Sequence, residues 1–88
     1  MKKARVAVIN SKGLHARAAA RLVEIASGYK SIVRVGQTKM VDGKSILSLM
    51  MLAAIKGSVL NIETEGVDED IAIEAIIKLI KGGFDEVN

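Results

Sequence analysis

Residues 13–17, GLHAR, separate a strand-like segment from a helical one and contain the only histidine of the chain. Residues 4–9 before them are rich in β-branched side chains and predict a strand. Residues 16–27 after them place apolar side chains at helical spacing. His15 is therefore predicted at a strand-to-helix turn, at the positive end of a helix.

A helix start is a favourable place for an anion, because its first amides have no helical partners and its dipole attracts negative charge. The backbone amides of Ala16, Arg17 and Ala18 are the candidate phosphate ligands, and the Arg17 guanidinium adds a planar fork of donors. The same positive field disfavours protonation of His15, so we expect a neutral ring near pH 7. A neutral imidazole can attack phosphorus and form a covalent intermediate.

Position alone also fits a simpler interpretation, in which His15 is a polar surface residue without a chemical role. A nucleophilic triad is not supported, since the chain has no cysteine and no evident Ser-His-Asp spacing. One histidine without cysteines also argues against a structural zinc site, and we expect no metal and no cofactor.

Length and composition predict a single small domain over residues 1–88, since half of the residues are hydrophobic. A net charge of +3 favours contact with an acidic protein surface. The first residues do not open a signal peptide, and no run approaches the ~20 apolar residues of a membrane span. We therefore expect a cytoplasmic protein that does not insert into a membrane.

The rest of the chain alternates between strand-like and helix-like patterns. Strands are predicted at residues 31–35, 38–41 and 58–65, the first two joined at a hairpin tip, Gly36-Gln37. A short helix follows its N-cap Ser45, with apolar positions through Ala54, and a third helix follows its N-cap Asp68. Residues 85–88 are predicted as a polar tail. The order β-α-β-β-α-β-α predicts an α+β open-faced sandwich, a four-stranded antiparallel sheet with three helices on one face.

Three smaller predictions concern glycine and alanine positions and one aromatic. Gly28 is predicted as the left-handed end of the first helix. Phe84 is expected to fold back on the domain. Ala18 and Ala20 are small enough to let the surface of a partner come close.

Two motifs carry a resemblance to a known family. Residues 13–17 resemble the active-site signature of the HPr family, the histidine phosphocarriers of the bacterial phosphotransferase system. Residues 44–49, KSILSL, resemble the family's second signature, which surrounds a regulatory serine. The length of the chain and the order and separation of the motifs also agree, so the resemblance covers essentially the whole chain. It implies the same fold, with His15 as the phosphohistidine, Arg17 stabilising the phosphate and Ser45 as a regulatory site.

The resemblance implies a stoichiometric phosphoryl carrier, not an enzyme, that acts as a monomer. His15 would accept a phosphoryl group from enzyme I and pass it to an enzyme IIA-type acceptor. HPr kinase/phosphorylase would act on Ser45, where N-capping alone is the simpler explanation for a serine. Phosphate there would place negative charge beside the docking surface and weaken binding to an acidic partner. The implied docking surface comprises Ala20, Arg21, Leu47 and Met50.

One residue departs from the family pattern, because the family usually has proline where this chain has Ala18. Alanine retains helix propensity but adds a free amide and loses the preset φ of proline. The replacement bears on how sharply the turn is fixed and how fast transfer runs. The family has a sugar-uptake branch and a nitrogen-related branch, and the chain resembles both. Residues 48–52 and 83–86 are similar to the nitrogen branch, and residues 44–46 to the kinase-regulated sugar branch.

Two other functions compete with the carrier. A small nucleic-acid-binding domain can share this element order, but Tyr29 and Phe84 are the only aromatics and provide no stacking strand, so no nucleic acid is expected as partner. A regulatory module that has lost transfer is suggested only by Ala18. The presence of both His15 and Arg17 argues against that module.

Overall fold

The computed structural model describes residues 1–86. Its elements follow the predicted order, ending in a short 3₁₀ helix. They are β1 (Lys2–Ala7), α1 (Ala16–Ser27), β2 (Ile32–Gly36), β3 (Met40–Asp42), α2 (Ile46–Met51), β4 (Val59–Glu65), α3 (Glu69–Lys81) and the 3₁₀ helix (Gly83–Asp85). The open-faced α+β architecture is confirmed.

The four strands form one antiparallel sheet in the order β1-β4-β2-β3, so β4 lies between β1 and β2. Side chains of β4 alternate, with Leu60, Ile62 and Thr64 buried against the helices. On the open face of the sheet, Arg34 of β2 pairs with Glu63 and Glu65 of β4. This alternation is the two-residue period that the sequence shows for β4.

The core between sheet and helices is aliphatic, and each such buried side chain contributes about 1.5–3 kcal/mol. α1 and α3 pack on the sheet through this core, which contains Ala18 and Ala19 from the start of α1 and Val6 from β1. Among the described residues, no helix is long and apolar enough to cross a membrane. The largest fully buried apolar side chains are Leu22, Leu49, Leu60, Ile62, Ile76 and Ile80.

Boundaries differ from the sequence predictions at several places. β1 covers Lys2–Ala7 instead of residues 4–9, and β3 begins at Met40 instead of residue 38. α2 ends at Met51, before the predicted residue 54, and Ala53 then adopts a φ of 51° that no α-helix contains.

Left-handed backbone occurs at the end of α3 and not at the end of α1. Gly28 has a φ of −74°, so the left-handed cap predicted there is wrong. Gly83 and Phe84 have φ values of 67° and 58° and reverse the chain after α3. Phe84 is buried as a result, which confirms that it folds back on the domain.

Candidate functional site

His15 occupies the position directly before α1 with extended backbone, φ −82° and ψ −177°. The helical ladder begins where the Ala19 amide donates to the His15 carbonyl at 2.8 Å. The amides of Ala16, Arg17 and Ala18 precede that first bond, so no helical carbonyl is available to them. The His15 side chain does not cap them, and the first turn contains no acidic residue. The structure therefore has an open, positive helix start at the predicted place.

The turn before His15 is fixed by the segment that follows α2. Gly13 has a φ of 65°, and a Cβ on it would lie 2.4 Å from the carbonyl oxygen of Ala54. Only glycine fits this close approach. The Leu14 amide donates to the same Ala54 carbonyl at 2.9 Å, and the Leu14 side chain is buried. His15 is thus held at a position that depends on the backbone after α2.

The Glu86 carboxylate forms a hydrogen bond with the His15 ring. Its Oε2 lies 2.5 Å from Nε2 of His15, and its Oε1 accepts a hydrogen bond from Nδ2 of Asn10 at 2.6 Å. An ionised carboxylate only accepts, so a neutral ring carries its proton on Nε2 and its lone pair on Nδ1. Burial opposes ionisation of Glu86, but the hydrogen bonds from Asn10 and His15 outweigh it and lower the pKa of Glu86.

The polar tail predicted for residues 85–88 is wrong where the structure describes it. Asp85 accepts a hydrogen bond from Nε of Arg21 at 3.1 Å, and Glu86 reaches His15. The cause is the left-handed turn at Gly83 and Phe84, which directs the following carboxylates back to α1. Residues 87–88 lie outside the described residues.

The two arginines of α1, Arg17 and Arg21, differ in their side-chain contacts. Arg17 is exposed, and its side chain has no hydrogen bond or ion pair within residues 1–86. Arg21 is held by Asp85 and by Glu24, one turn along the helix, and the hydrogen bond that Arg21 donates to Asp85 is the main cause that raises the pKa of Arg21. Arg17 is therefore the cation of α1 that is available to an anion.

Ala18 and Ala20, the two alanines predicted to let a partner approach, differ in exposure. The Ala18 side chain is buried at 1% exposure, whereas Ala20 is exposed. The prediction that Ala18 lets a partner surface approach is wrong, because its methyl group packs in the core. Its amide remains at the open helix start, and Ala20 remains accessible.

α2 carries the second motif. Oγ of Ser45 accepts a hydrogen bond from the Ser48 amide at 3.2 Å, so Ser45 caps the helix as its residue type predicts. Leu47 and Met50 are 70% and 42% exposed. We call the exposed apolar side chains of this region the α2 patch. It consists of Ile46, Leu47, Met50, Met51 and Ile55.

Sequence reasoning missed several residues that the structure brings to the site. Asn10 has the residue type of an ordinary turn, and Asp85 and Glu86 lie in the segment predicted as a tail. Met51 is one of the apolar positions of the second helix, and the pattern does not indicate that it is 76% exposed. The one available signal was the pair Gly82-Gly83 before an aromatic residue, which marks a reversal but not its target.

Known proteins resemble this chain over nearly its whole length. Residues 2–82 match the family model described as the PTS HPr component phosphorylation site. A Pseudomonas aeruginosa protein named phosphocarrier protein HPr is 52% identical over 83 residues, which cover 92% of each chain. A Proteus mirabilis protein named phosphocarrier protein NPr is 39% identical over 84 residues, or 93% of each chain. The crystal structure of HPr-C-His from Thermoanaerobacter tengcongensis superposes with a TM-score of 0.95 at 39% identity, covering 100% of both chains.

Proposed function

The chain belongs to the HPr family of phosphocarrier proteins of the phosphotransferase system, and from that premise we propose that His15 is its phosphoryl acceptor. The observation that carries this assignment is the contact of Nε2 with Glu86 at an open helix start. It leaves the Nδ1 lone pair as the nucleophile. The same helix start provides amides for the oxygens of an incoming phosphoryl group.

The transfer step needs no separate base. Nδ1 of His15 forms a bond to phosphorus while the bond between phosphorus and the donor breaks, and Nε2 keeps its proton. Arg17 and the first amides of α1 bind the phosphoryl oxygens, which carry the negative charge. The Glu86 carboxylate stabilises the positive charge that develops on the ring during attack.

The carrier is consumed and regenerated in stoichiometric amounts, so it is a substrate of its partners and not an enzyme. Enzyme I is the proposed donor and an enzyme IIA domain the proposed acceptor, both met in the cytoplasm. The docking surface consists of Ala20, Arg21, Leu47 and Met50, and the exposure of these apolar side chains beside a cation supports it. A small apolar patch with a basic rim suits complexes that form and dissociate quickly.

Ser45 is the proposed regulatory site for an HPr kinase/phosphorylase. Its Oγ lies at the start of α2 and is only partly buried. A phosphate on Oγ would remain near the first amides of α2 and would place negative charge on the same helix as Leu47 and Met50. The expected result is an intact fold with weaker docking to an acidic partner.

The experiment is transfer from phosphoenolpyruvate through purified enzyme I, followed by intact mass and phosphorus NMR. We expect one acid-labile phosphoryl group on the wild type and on Ser45→Ala, and none on His15→Ala. A phosphoryl group that persists in His15→Ala would place the acceptor elsewhere. A folded wild type that accepts nothing would favour the regulatory module. Enzyme I from each branch, used in parallel, assigns the chain to sugar uptake or nitrogen regulation.

A further inference from the structure

Asn10 is a buried polar residue whose contacts exceed what a turn requires. It directly precedes the loop to His15 and is fully buried, at 0% exposure. Its Nδ2 donates to the Gly13 carbonyl at 2.8 Å and to Oε1 of Glu86 at 2.6 Å. Because both partners are acceptors, the orientation of the amide is determined by its contacts.

The amide oxygen of Asn10 has no hydrogen-bond donor within the described part of the chain. A buried acceptor without a donor is unfavourable, so a residue with this defect needs a reason to be present. The bond to Gly13 closes the turn, and the Gly13 amide in turn donates to the Asn10 carbonyl at 3.1 Å. Turn closure explains the bond to Gly13 but not the bond to Glu86, which lies 76 residues away.

The two carboxylate oxygens of Glu86 have different hydrogen-bond partners. Oε1 is taken by Asn10, and Oε2 is the oxygen that faces Nε2 of His15. A glutamate on a short reversed segment has several rotamers, so the bond to Asn10 restricts which oxygen meets the ring. The tautomer of the ring depends on that restriction, since the partner of one nitrogen determines which nitrogen carries the proton.

We propose that Asn10 is a positioning residue for phosphoryl acceptance: it holds Glu86 so that the proton of His15 stays on Nε2 and Nδ1 remains the nucleophile. This inference rests on the proposed function of His15. Asn10 contacts neither the phosphoryl group nor the reacting nitrogen, and it acts through Glu86. The step itself is unchanged, with one bond formed at Nδ1 and one broken at the donor.

The primary test is the tautomer of His15, read from the nitrogen-15 signals of the ring at about pH 8.5, where an ordinary histidine is neutral. We expect the wild type to carry the proton mainly on Nε2 and Asn10→Ala to move towards a mixture. The rate of phosphorylation should fall about tenfold, as for the loss of one hydrogen bond to an ionised group. Asn61→Ala is the matched control, because Nδ2 of Asn61 also donates to a backbone carbonyl, that of Gln37, at 2.7 Å. It should change neither quantity.

A double variant separates positioning from turn closure. In a Glu86→Ala background, the further change Asn10→Ala should alter neither tautomer nor rate if Asn10 acts through Glu86. An equal effect in both backgrounds, or a wild-type tautomer in Asn10→Ala, would overturn the proposal. If Asn10→Ala does not fold, the side-chain amide signals of Asn10 in the otherwise native protein decide instead. They should move on Glu86→Ala, and no movement would overturn the inference.

The two proposals fail in different ways. The tautomer is measured without a phosphoryl donor, so it tests Asn10 whatever the donor does. A wild type with the proton on Nε2 that accepts no phosphoryl group would contradict the function of His15 and leave the contact intact. A wild type that accepts the group with the same tautomer in all variants would contradict the role of Asn10 alone.

Discussion

The starts of α1 and α3 have the same dipole but different occupants. α1 begins after His15 without a side-chain cap and without an acid in its first turn. α3 begins after Asp68 and has Glu69 and Asp70 in its first turn. The carboxylates at α3 neutralise the positive end of that helix, whereas at α1 the positive end stays available. The start of α3 thus carries stabilising carboxylates, whereas the start of α1 is free of acids and is the anion site of the proposed function.

The Asp68 carboxylate at the start of α3 accepts several hydrogen bonds from a neighbouring loop. Its side chain does not cap its own helix, contrary to the prediction from residue type. It accepts instead from the Lys30 amide at 2.8 Å, the Ser31 amide at 2.9 Å and the Ser31 hydroxyl. The hydrogen bond from the Ser31 hydroxyl, followed by that from the Lys30 amide, lowers the pKa of Asp68. The loop between α1 and β2 is thereby joined to α3.

The largest expected effect comes from making α1 begin as α3 does. Arg17→Glu places a carboxylate where we propose that phosphoryl oxygens bind, and we expect phosphorylation of His15 to slow by about 100-fold or more. Thermal unfolding should change little, because an acid in the first turn suits the dipole. Arg17→Gln, which removes charge without adding the opposite sign, should give an intermediate rate. Equal rates in Arg17→Glu and wild type would contradict the distinction between the two helix starts.

Removing the Asp68 carboxylate, directly before α3, should reduce stability without affecting the carrier function. Because the pKa of Asp68 is lowered on folding, its contribution is present above the unfolded pKa of about 3.9 and is lost as pH falls through the lower folded value. We expect Asp68→Ala to unfold at lower urea concentration at pH 7 and to lose less stability than wild type between about pH 4 and pH 2. Urea titrations at both ends of that range check this. The same acid dependence in both proteins would refute it.

α2 has an intermediate kind of start, with one cap and no acid in its first turn. Ser45→Ala removes the bond to the Ser48 amide and should cost about 1 kcal/mol, or roughly 4–8 °C in melting temperature. Phosphorylation of His15 should be unaffected, because the helix start of α1 is unchanged. Calorimetry and the enzyme I assay measure the two quantities. A slowed transfer at unchanged stability would show that Ser45 has a direct role at His15.

The smallest effect is expected at Ala18, where the family usually has proline. Ala18→Pro removes one of the three open amides of α1 but presets a helical φ. We expect stability within about 1 kcal/mol of wild type and a transfer rate within about threefold. Stopped-flow or quench measurements with enzyme I give the rate. A loss of a hundredfold would mean that the Ala18 amide is a principal phosphate ligand.

The sequence predicts most of the fold because its signals are local. β4 alternates with the period of a strand, and α3 has acids at its start, lysines at its end and apolar residues at helical spacing. The position of His15 and Arg17 at a helix start is predicted in the same way, since the motif and the helix start are adjacent in the chain. The end of α2 is missed, because apolar residues continue through Ala54 while the backbone at Ala53 has already left the helix.

The other half of the site is not local, and this is why the sequence does not predict it. Glu86 and His15 are 71 residues apart, and their contact depends on left-handed backbone at Phe84 and Asp85. Non-glycine residues seldom adopt that conformation, so residue type gives no warning of it. Asn10 has the residue type of an ordinary turn. Its hydrogen bond to Glu86 forms only when the chain reversal after α3 brings Glu86 next to it.

The contact of Gly13 and Leu14 with the backbone of Ala54 has a consequence for how an encounter becomes productive. The backbone after α2 directly contacts the turn before His15, so a partner that docks on the α2 patch, as proposed, would meet the ring in a fixed orientation. Holding reactants in line replaces a search over orientations, which is a large part of the barrier in a bimolecular step. In the proposed function, a weak and short-lived complex is then sufficient for transfer, and the carrier dissociates and binds the next partner.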